Sequence, residues 1–424
     1  MVKISPFQAL RYNKDKANLE KVVCPPYDVI NHQQRKGYIR QSVHNIVKIA
    51  LPQKRNLTHD YKQAEKDLSA WIEKGILKHD SMPSLYVYVQ ECTIDNKKVS
   101  RCGFFSLLKL DKSGDSGVLP HENVFSKPLF DRANLMKQTK AHLSPIFIVF
   151  KDAKAKAQKI LSDITKKTRP ESDIYADGSR HKLWSVTDKK IIDALIKHVN
   201  AAQTFIADGH HRFKASMVAR DYFSKKKELS DGYSHTLVYL AGSEDKGLEI
   251  LPTYRAVKTL PKGFDAEYID KHLSKYFNIK PISSKLVDKV LKGAFKKRDV
   301  AFVLYYKKKY LLAALKDKNI IKDIEPKDAS LTWKSLDVSI LHNFVFKKLL
   351  NIKEKITKNQ NISYYKGKNE LIKEVNSGKH KLGILLNPST MDDVVKLAKN
   401  GEKMPHKSTY FSPKPLTGLV IHKF

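Results

Sequence analysis

Five consecutive residues carry the strongest chemical signal in this chain: Asp208-Gly209-His210-His211-Arg212. They follow a short apolar run at 204–207 and precede a stretch in which Ala215, Val218, Ala219 and Tyr222 recur at helical spacing. The pattern reads as strand, turn, helix. A tight turn there presents the first backbone N–H groups of the helix, unpaired and partly positive, at the end of the strand, and such an end takes anions. Gly209 allows close backbone approach. Arg212 can fork onto a phosphate, and Asp208 can hold Mg²⁺ or a proton. His210 and His211 are consecutive, so at most one of them points into a given cleft unless the turn is distorted. The plainer alternative makes Asp208 a helix cap and the two histidines turn residues.

His121-Glu122 is the second candidate. It lies beside a glycine-containing loop at 113–117, and a glutamate so placed suits a general base acting on a hydroxyl. Asp131 is expected to cap a helix running to about Ala141, with Arg132 and Lys137 near its start. Residues 404–414 pack hydroxyls and cations into a proline-bounded loop. Its Lys407-Ser408-Thr409 looks like the end of a phosphate-binding loop, but the glycines of GxxxxGK[ST] are missing. There is no GxSxG, no HExxH and no CxxC, so serine-hydrolase and zinc chemistry find no support.

The elements that must position these residues read as mixed α/β. Helices are expected at 59–74, 188–199, 212–227 and 336–350, and strands at 85–92, 99–110, 146–150, 183–186, 236–241 and 382–386. A chain of 424 residues exceeds one ordinary core, and three regions are expected. These are an N-terminal α/β region at 1–115, a catalytic region at 116–258 and a C-terminal α/β region at 259–424. The opening residues lack the apolar stretch of a signal peptide and no run reaches membrane length, so a cytoplasmic protein without a membrane partner is expected.

The net charge is +35, with 79 Lys and Arg against 44 Asp and Glu. A polyanion partner is one explanation, because clustered cations release counterions from phosphate backbones. Lysine-rich compositional drift is the other. The lysines are scattered from end to end, whereas a nucleic-acid binder concentrates them in a stripe with aromatics between, and drift is favoured. Only 12 of the 79 are Arg, and none follows Arg298. Where Lys is the default cation, a retained Arg suggests a need for the planar fork. Arg11, Arg132, Arg212 and Arg255 lie in segments that look special on other grounds.

With those residues laid out, the chain resembles the domain-of-unknown-function family 1015. The likeness is carried, in order, by Ser5-Pro6-Phe7, Pro25-Pro26-Tyr27-Asp28-Val29-Ile30, His121-Glu122, Asp131-Arg132, 143–147, 207–212, Leu251-Pro252-Thr253, Leu336-Asp337-Val338, Met404-Pro405 and 407–411. Cys24, His406 and the lysine content depart from the pattern. The 208–212 segment further resembles the ParB/sulfiredoxin superfamily, which includes free-serine kinases. The resemblance implies a ParB/sulfiredoxin-like catalytic core with an added C-terminal α/β region. It also implies a Mg²⁺-dependent kinase that phosphorylates L-serine with pyrophosphate or a nucleoside phosphate. On this reading Glu122, Asp208 and His210 are catalytic, and Asp208 holds the metal. Gly209, His210, His211, Arg212, Arg132, Lys407, Ser408 and Thr409 take the donor, while Tyr27, Asp28, His121 and Arg255 take the substrate. The alternatives are a ParB-like nucleic-acid or nucleotide-binding protein and a phosphoserine phosphatase using the same site.

Scattered lysines predict weak binding of DNA or RNA that ignores sequence and falls steeply with salt. Filter binding across a salt series checks this. A sequence-preferring complex that survives physiological salt would contradict it.

Overall fold

The computed structural model describes residues 1–55, 58–94, 96–111, 116–226, 231–352 and 361–424. Parts of the expected 94–97 turn and 113–117 loop, and the last residue of the expected 212–227 helix, lie outside them. The chain forms two units, one of Met1–Glu249 with Phe411–Phe424 and one of Ile250–Tyr410.

The first unit is built on a nine-stranded mixed sheet. Its strands are β1 (Ile4–Ser5), β2 (Leu85–Ile94), β3 (Lys97–Lys109), β4 (Val118–Leu119), β5 (Ile146–Phe150), β6 (Ser172–Ala176), β7 (Ser179–Val186), β8 (Thr204–Asp208) and β9 (His235–Gly242). The order is β6-β7-β2-β3-β9-β5-β8-β4, with β1 added alongside β3. The boundary expected at 115/116 falls inside this sheet. The reason is the pairing of β3 with β9, which joins Leu108 to Thr236 and Phe105 to Tyr239. The sheet cannot be cut there without losing its centre.

The two faces differ in chemistry. Val87, Val89, Phe104, Ile148, Ile206, Val238 and Leu240 line an aliphatic face. It packs against Ala157, Leu161 and Ile164 of α3 (Lys156–Lys167) and Ile192, Leu195 and Val199 of α4 (Lys189–Ala201). The opposite face carries Tyr88, Phe105, Tyr239 and Phe147, with ring centroids 5.1–5.5 Å apart from neighbour to neighbour. A separate cluster packs Ala64, Leu68 and Trp71 of α1 (Tyr61–Glu73) with Leu10, Ile46, Leu135 and Ile421.

Helix α2 spans Ser126–Thr139. It begins five residues before the expected cap at Asp131, because Pro128 is tolerated in a first turn that needs no partner for its missing N–H. Asp131 is therefore inside the helix, whose cap position is Phe125. Small residues let α2 approach α5 (His210–Lys226): Ala133 and Met136 meet Ala215, Ala219 and Phe223.

The second unit has a six-stranded sheet of β10 (Tyr254–Val257), β11 (Phe277–Ile282), β12 (Ala301–Tyr306), β13 (Lys309–Leu315), β14 (Ile362–Tyr365) and β15 (Leu382–Leu386), ordered β11-β13-β12-β15-β10-β14. The helix expected at 336–350 is a short α-turn at Asp337–Ser339 continued by wide π turns at Ile340–Leu349. Among the described residues no helix is long and apolar enough to cross a membrane.

The chain end returns to the first unit. His422–Lys423 pairs with Ala141–His142, Ile421 exchanges backbone hydrogen bonds with Leu10, and the His142 and His422 rings stack 5.8 Å apart at 3°. Burial pushes His142 down to about 3 and His422 down to about 4. A ring whose folded value lies below its unfolded value of 6.5 stabilises the fold fully above that pH, and the contribution is lost as pH falls toward the folded value. The thermal midpoint is therefore expected to drop between pH 6.5 and about 5, ahead of most carboxylates. In a His142→Asn, His422→Gln double variant that slope should flatten. A wild-type midpoint constant over this window would contradict the assignment.

Candidate active site

Two loops meet because two short strands run parallel. β4 pairs with β8 through Val118 with Thr204 and Phe205 with Leu119. Parallel partners leave the sheet at the same end, so His121-Glu122 and Asp208–His211 emerge side by side. Gly209 is the pivot. Its φ is +96°, and a Cβ there would lie 3.1 Å from the Arg212 guanidinium, so both backbone and space call for glycine. The helix starts immediately after it, which places His210 and His211 in the first turn of α5, two residues ahead of the helix start expected at 212.

About 100° of helix rotation separates consecutive residues, and the two imidazoles diverge accordingly. His210 is buried, and its Nε2 accepts the His121 backbone N–H at 3.2 Å. An accepting nitrogen carries no proton, so this contact assigns the ring proton to Nδ1. Nδ1 lies 3.6 Å from Glu122 Oε2. His211 Nε2 accepts the Phe125 N–H at 3.0 Å, which assigns it the same tautomer. The rings of His121 and His210 sit edge to face, 4.6 Å apart.

Asp208 holds the site together. Its Oδ2 pairs with Arg212 Nη2 and its Oδ1 with Lys414 Nζ, both at 2.5 Å. Arg212 also donates from Nη1 to the Pro145 carbonyl at the head of β5. The fork expected to grip a phosphate is thus spent on the protein, because a residue one turn into α5 reaches straight back to the strand the helix came from. Lys414 Nζ also pairs with Asp28 Oδ2 at 2.7 Å. Burial alone pulls the Lys414 ammonium down, but Asp208 and Asp28 outweigh it and raise it above the ordinary value.

Arg132 is buried and similarly engaged. It pairs with Asp131 Oδ2 at 2.5 Å, donates to the Ala50 carbonyl at 2.6 Å and stacks over the Tyr27 ring at 4.0 Å. Tyr61 donates to Asp131 Oδ1 at 2.7 Å. Burial raises Tyr27, so its hydroxyl stays protonated. The first unit therefore brings together Tyr27, Asp28, His121, Glu122, Arg132 and the whole 208–212 segment. Arg255, Lys407, Ser408 and Thr409 belong to the second unit. There Arg255 is buried and donates to His342 Nε2, the Thr253 carbonyl and the Lys407 carbonyl. Ser408 donates to the Pro405 carbonyl.

Mg²⁺ on Asp208 does not fit these contacts. Both oxygens already face a cation at 2.5 Å, and an incoming metal would have to displace one of them. Among the described residues no group of three or more His, Cys, Asp and Glu is placed to hold a metal.

Sequence reasoning missed Lys414, which entered only as the end of the 404–414 loop. The available signal was its place between Pro413 and Pro415, unlike the lysines in solvated runs.

A family model described as "Protein of unknown function (DUF1015)" matches residues 4–339. No curated protein matches the chain. Among solved structures, the chain is similar to a conserved hypothetical protein from Pyrococcus furiosus, at 16% identity and a TM-score of 0.33, over 73% of this chain and 91% of that one. It is also similar to a free serine kinase in complex with AMP, at 13% identity and 0.34, over 72% and 86%. A third is SbnI from Staphylococcus aureus, at 9% and 0.34, over 74% and 86%.

Lys414→Met leaves Asp208 and Asp28 without their shared cation and should cost roughly 3 kcal/mol, the low end for breaking a buried pair. Denaturant unfolding of the variant checks it. A loss below about 0.5 kcal/mol would place these contacts among ordinary surface pairs.

Proposed function

Since this chain belongs to the DUF1015 family, whose description names no activity, we propose a function from the site itself: phosphorylation of free L-serine to O-phosphoserine, with pyrophosphate or a nucleoside phosphate as donor. The observation that carries the reading is the Glu122–His210 pair at the first turn of α5. It puts a carboxylate beside a helix N-terminus, where donor phosphates are favoured.

In the proposed step the serine Oγ attacks the terminal phosphorus of the donor. The bond from that phosphorus to its bridging oxygen breaks, and the remaining phosphate or nucleotide leaves with the bond's electron pair. The Oγ proton passes to Glu122 and is later released to solvent. Phosphoryl transfer asks chiefly for positioning and charge neutralisation. His210 points its Nδ1–H at Glu122 and fixes where that carboxylate faces. His211 and the backbone of the first turn of α5 take the donor. Tyr27, Asp28 and His121 line the acceptor side. Asp208 and Arg212 act as positioning residues, holding α5 against β8.

Glu122 is favoured over Asp208 as base on geometry. Protonating Asp208 would disrupt two ion pairs at 2.5 Å, whereas Glu122 faces a neutral imidazole at 3.6 Å. The ParB/sulfiredoxin likeness of the 208–212 turn agrees with this reading.

Glu122→Gln keeps the shape and removes the base. It should lower kcat by about 10²-fold or more while leaving donor affinity within about twofold. Steady-state kinetics of phosphoserine formation, with donor binding measured separately by calorimetry, provides the check. Full kcat in the variant would remove Glu122 from the role.

A further inference from the structure

The aromatic face of the first sheet contains a cation whose bonds are incomplete. Arg101 on β3 is 0% exposed. Its Nη2 donates to Gln90 Oε1, but Nε and Nη1 have no hydrogen-bond partner, and no salt bridge joins it to an acid among the described residues. The guanidinium lies between the rings of Phe147 and Tyr239, at 4.4 and 5.2 Å. Asp245 lies on the neighbouring turn, but its Oδ2 accepts the Cys102 N–H and its Oδ1 the Gly247 N–H. Close by, the Tyr239 hydroxyl is also buried, within interaction range of the Arg101 guanidinium.

Register places this group on the side of the sheet that holds the site. Phe147 is the cross-strand partner of Asp208, and Tyr239 is the neighbour of Phe147 on β9, so all three side chains share the face that Arg101 occupies. The cover over that face is the returning segment of the chain. Gln90, which accepts from Arg101, donates to the Lys414 carbonyl at 2.9 Å, and the Phe411 ring lies between those of Phe147 and His121, 6.0 and 6.2 Å away. The residues that cover Arg101 are thus the neighbours of the Asp208–Lys414 pair.

A buried guanidinium with two nitrogens lacking an aligned acceptor is costly, because its desolvation is only partly offset by Gln90, by two rings and by the nearby Tyr239 hydroxyl and Asp245 charge. An oxyanion arriving there would meet a planar fork in a low-dielectric surrounding, where a charge-assisted bidentate pair is strongest. We propose that Arg101, with the Tyr239 hydroxyl, is an oxyanion subsite that binds the carboxylate of the amino-acid acceptor as the Gln90 and Phe411 side chains that cover it move aside. This assignment of carboxylate to acceptor rests on the serine-phosphorylating reading above. The chemistry it shares with a donor phosphate is separated by the choice of probes.

The test is binding without turnover. Affinities of the full chain for L-serine, for ethanolamine (serine without its carboxylate) and for inorganic pyrophosphate are measured by calorimetry at matched ionic strength, in wild type and in Arg101→Met. The wild type should bind L-serine at least about tenfold more tightly than ethanolamine. Arg101→Met should weaken L-serine by about 10- to 100-fold and leave ethanolamine and pyrophosphate unchanged. Its unliganded thermal midpoint should stay level or rise, since an unpaired buried charge has been removed. Pyrophosphate weakened with serine unchanged would overturn the acceptor assignment. So would unchanged affinities for all three, a wild type that binds none of them, or a falling midpoint with binding intact, which marks a structural arginine. Should Arg101→Met not fold, Arg101→Lys keeps the charge without the fork. It should still weaken L-serine, and unchanged affinity there overturns the subsite. Serine binding lost in the variant while the wild type makes no phosphoserine would leave the subsite standing and remove the kinase reading. Phosphoserine formed equally well by both proteins would do the reverse.

Discussion

One carboxylate between two cations organises the first unit. Asp208 ends β8, and its two oxygens are taken by Arg212, one turn into the following helix, and by Lys414, on the segment returning from the far end of the chain. Arg212 fixes how α5 leaves the sheet and ties it to the head of β5 through Pro145. Lys414 fixes the returning segment and, through Asp28, the turn at Tyr27–Val29. Ion pairs this far from water repay their desolvation only when geometry is good and every charge is answered. Here four charges alternate, Asp28, Lys414, Asp208 and Arg212, and removing either of the two middle ones takes away a partner from both its neighbours.

The chemical consequence is a division of labour between carboxylates. A carboxylate that locks a fold is poorly suited to trading protons in each turnover, and Asp208 is the lock. Glu122 arrives on a separate loop beside a neutral imidazole whose tautomer is set by the backbone of its own neighbour, His121. The same division applies to the arginines. Arg132 and Arg212 looked like anion clamps by their scarcity, yet each is spent on an acid and a backbone carbonyl. Arg101, in the middle of an ordinary-looking strand, keeps two guanidinium nitrogens without an aligned acceptor among the described residues.

Local elements were legible where a short window contains their cause. The strands at 146–150 and 382–386 and the helix at 188–199 follow from runs and periodicity, and the structure has them as Ile146–Phe150, Leu382–Leu386 and Lys189–Ala201. The strand–turn–helix around Gly209 was legible for the same reason. The start of α2 was misplaced because Asp131 looked like a cap while Pro128, three residues earlier, was already inside the helix. What pairing decides was not legible. Nothing in Val118-Leu119 announces a two-residue strand parallel to β8, yet that strand brings Glu122 to His210. Nor was the pairing of β3 with β9 across the 115/116 boundary legible, since local composition does not announce it. Lys414 was invisible because its partners lie at positions 28 and 208.

The most direct measurement is phosphorus NMR of the purified protein incubated with L-serine and, in separate samples, pyrophosphate, ADP and ATP. A phosphoserine resonance growing in step with consumption of one donor is the expected result. Donor consumed without phosphoserine, or no donor consumed at all, would contradict phosphoryl transfer to serine at the site that Asp208 holds in place.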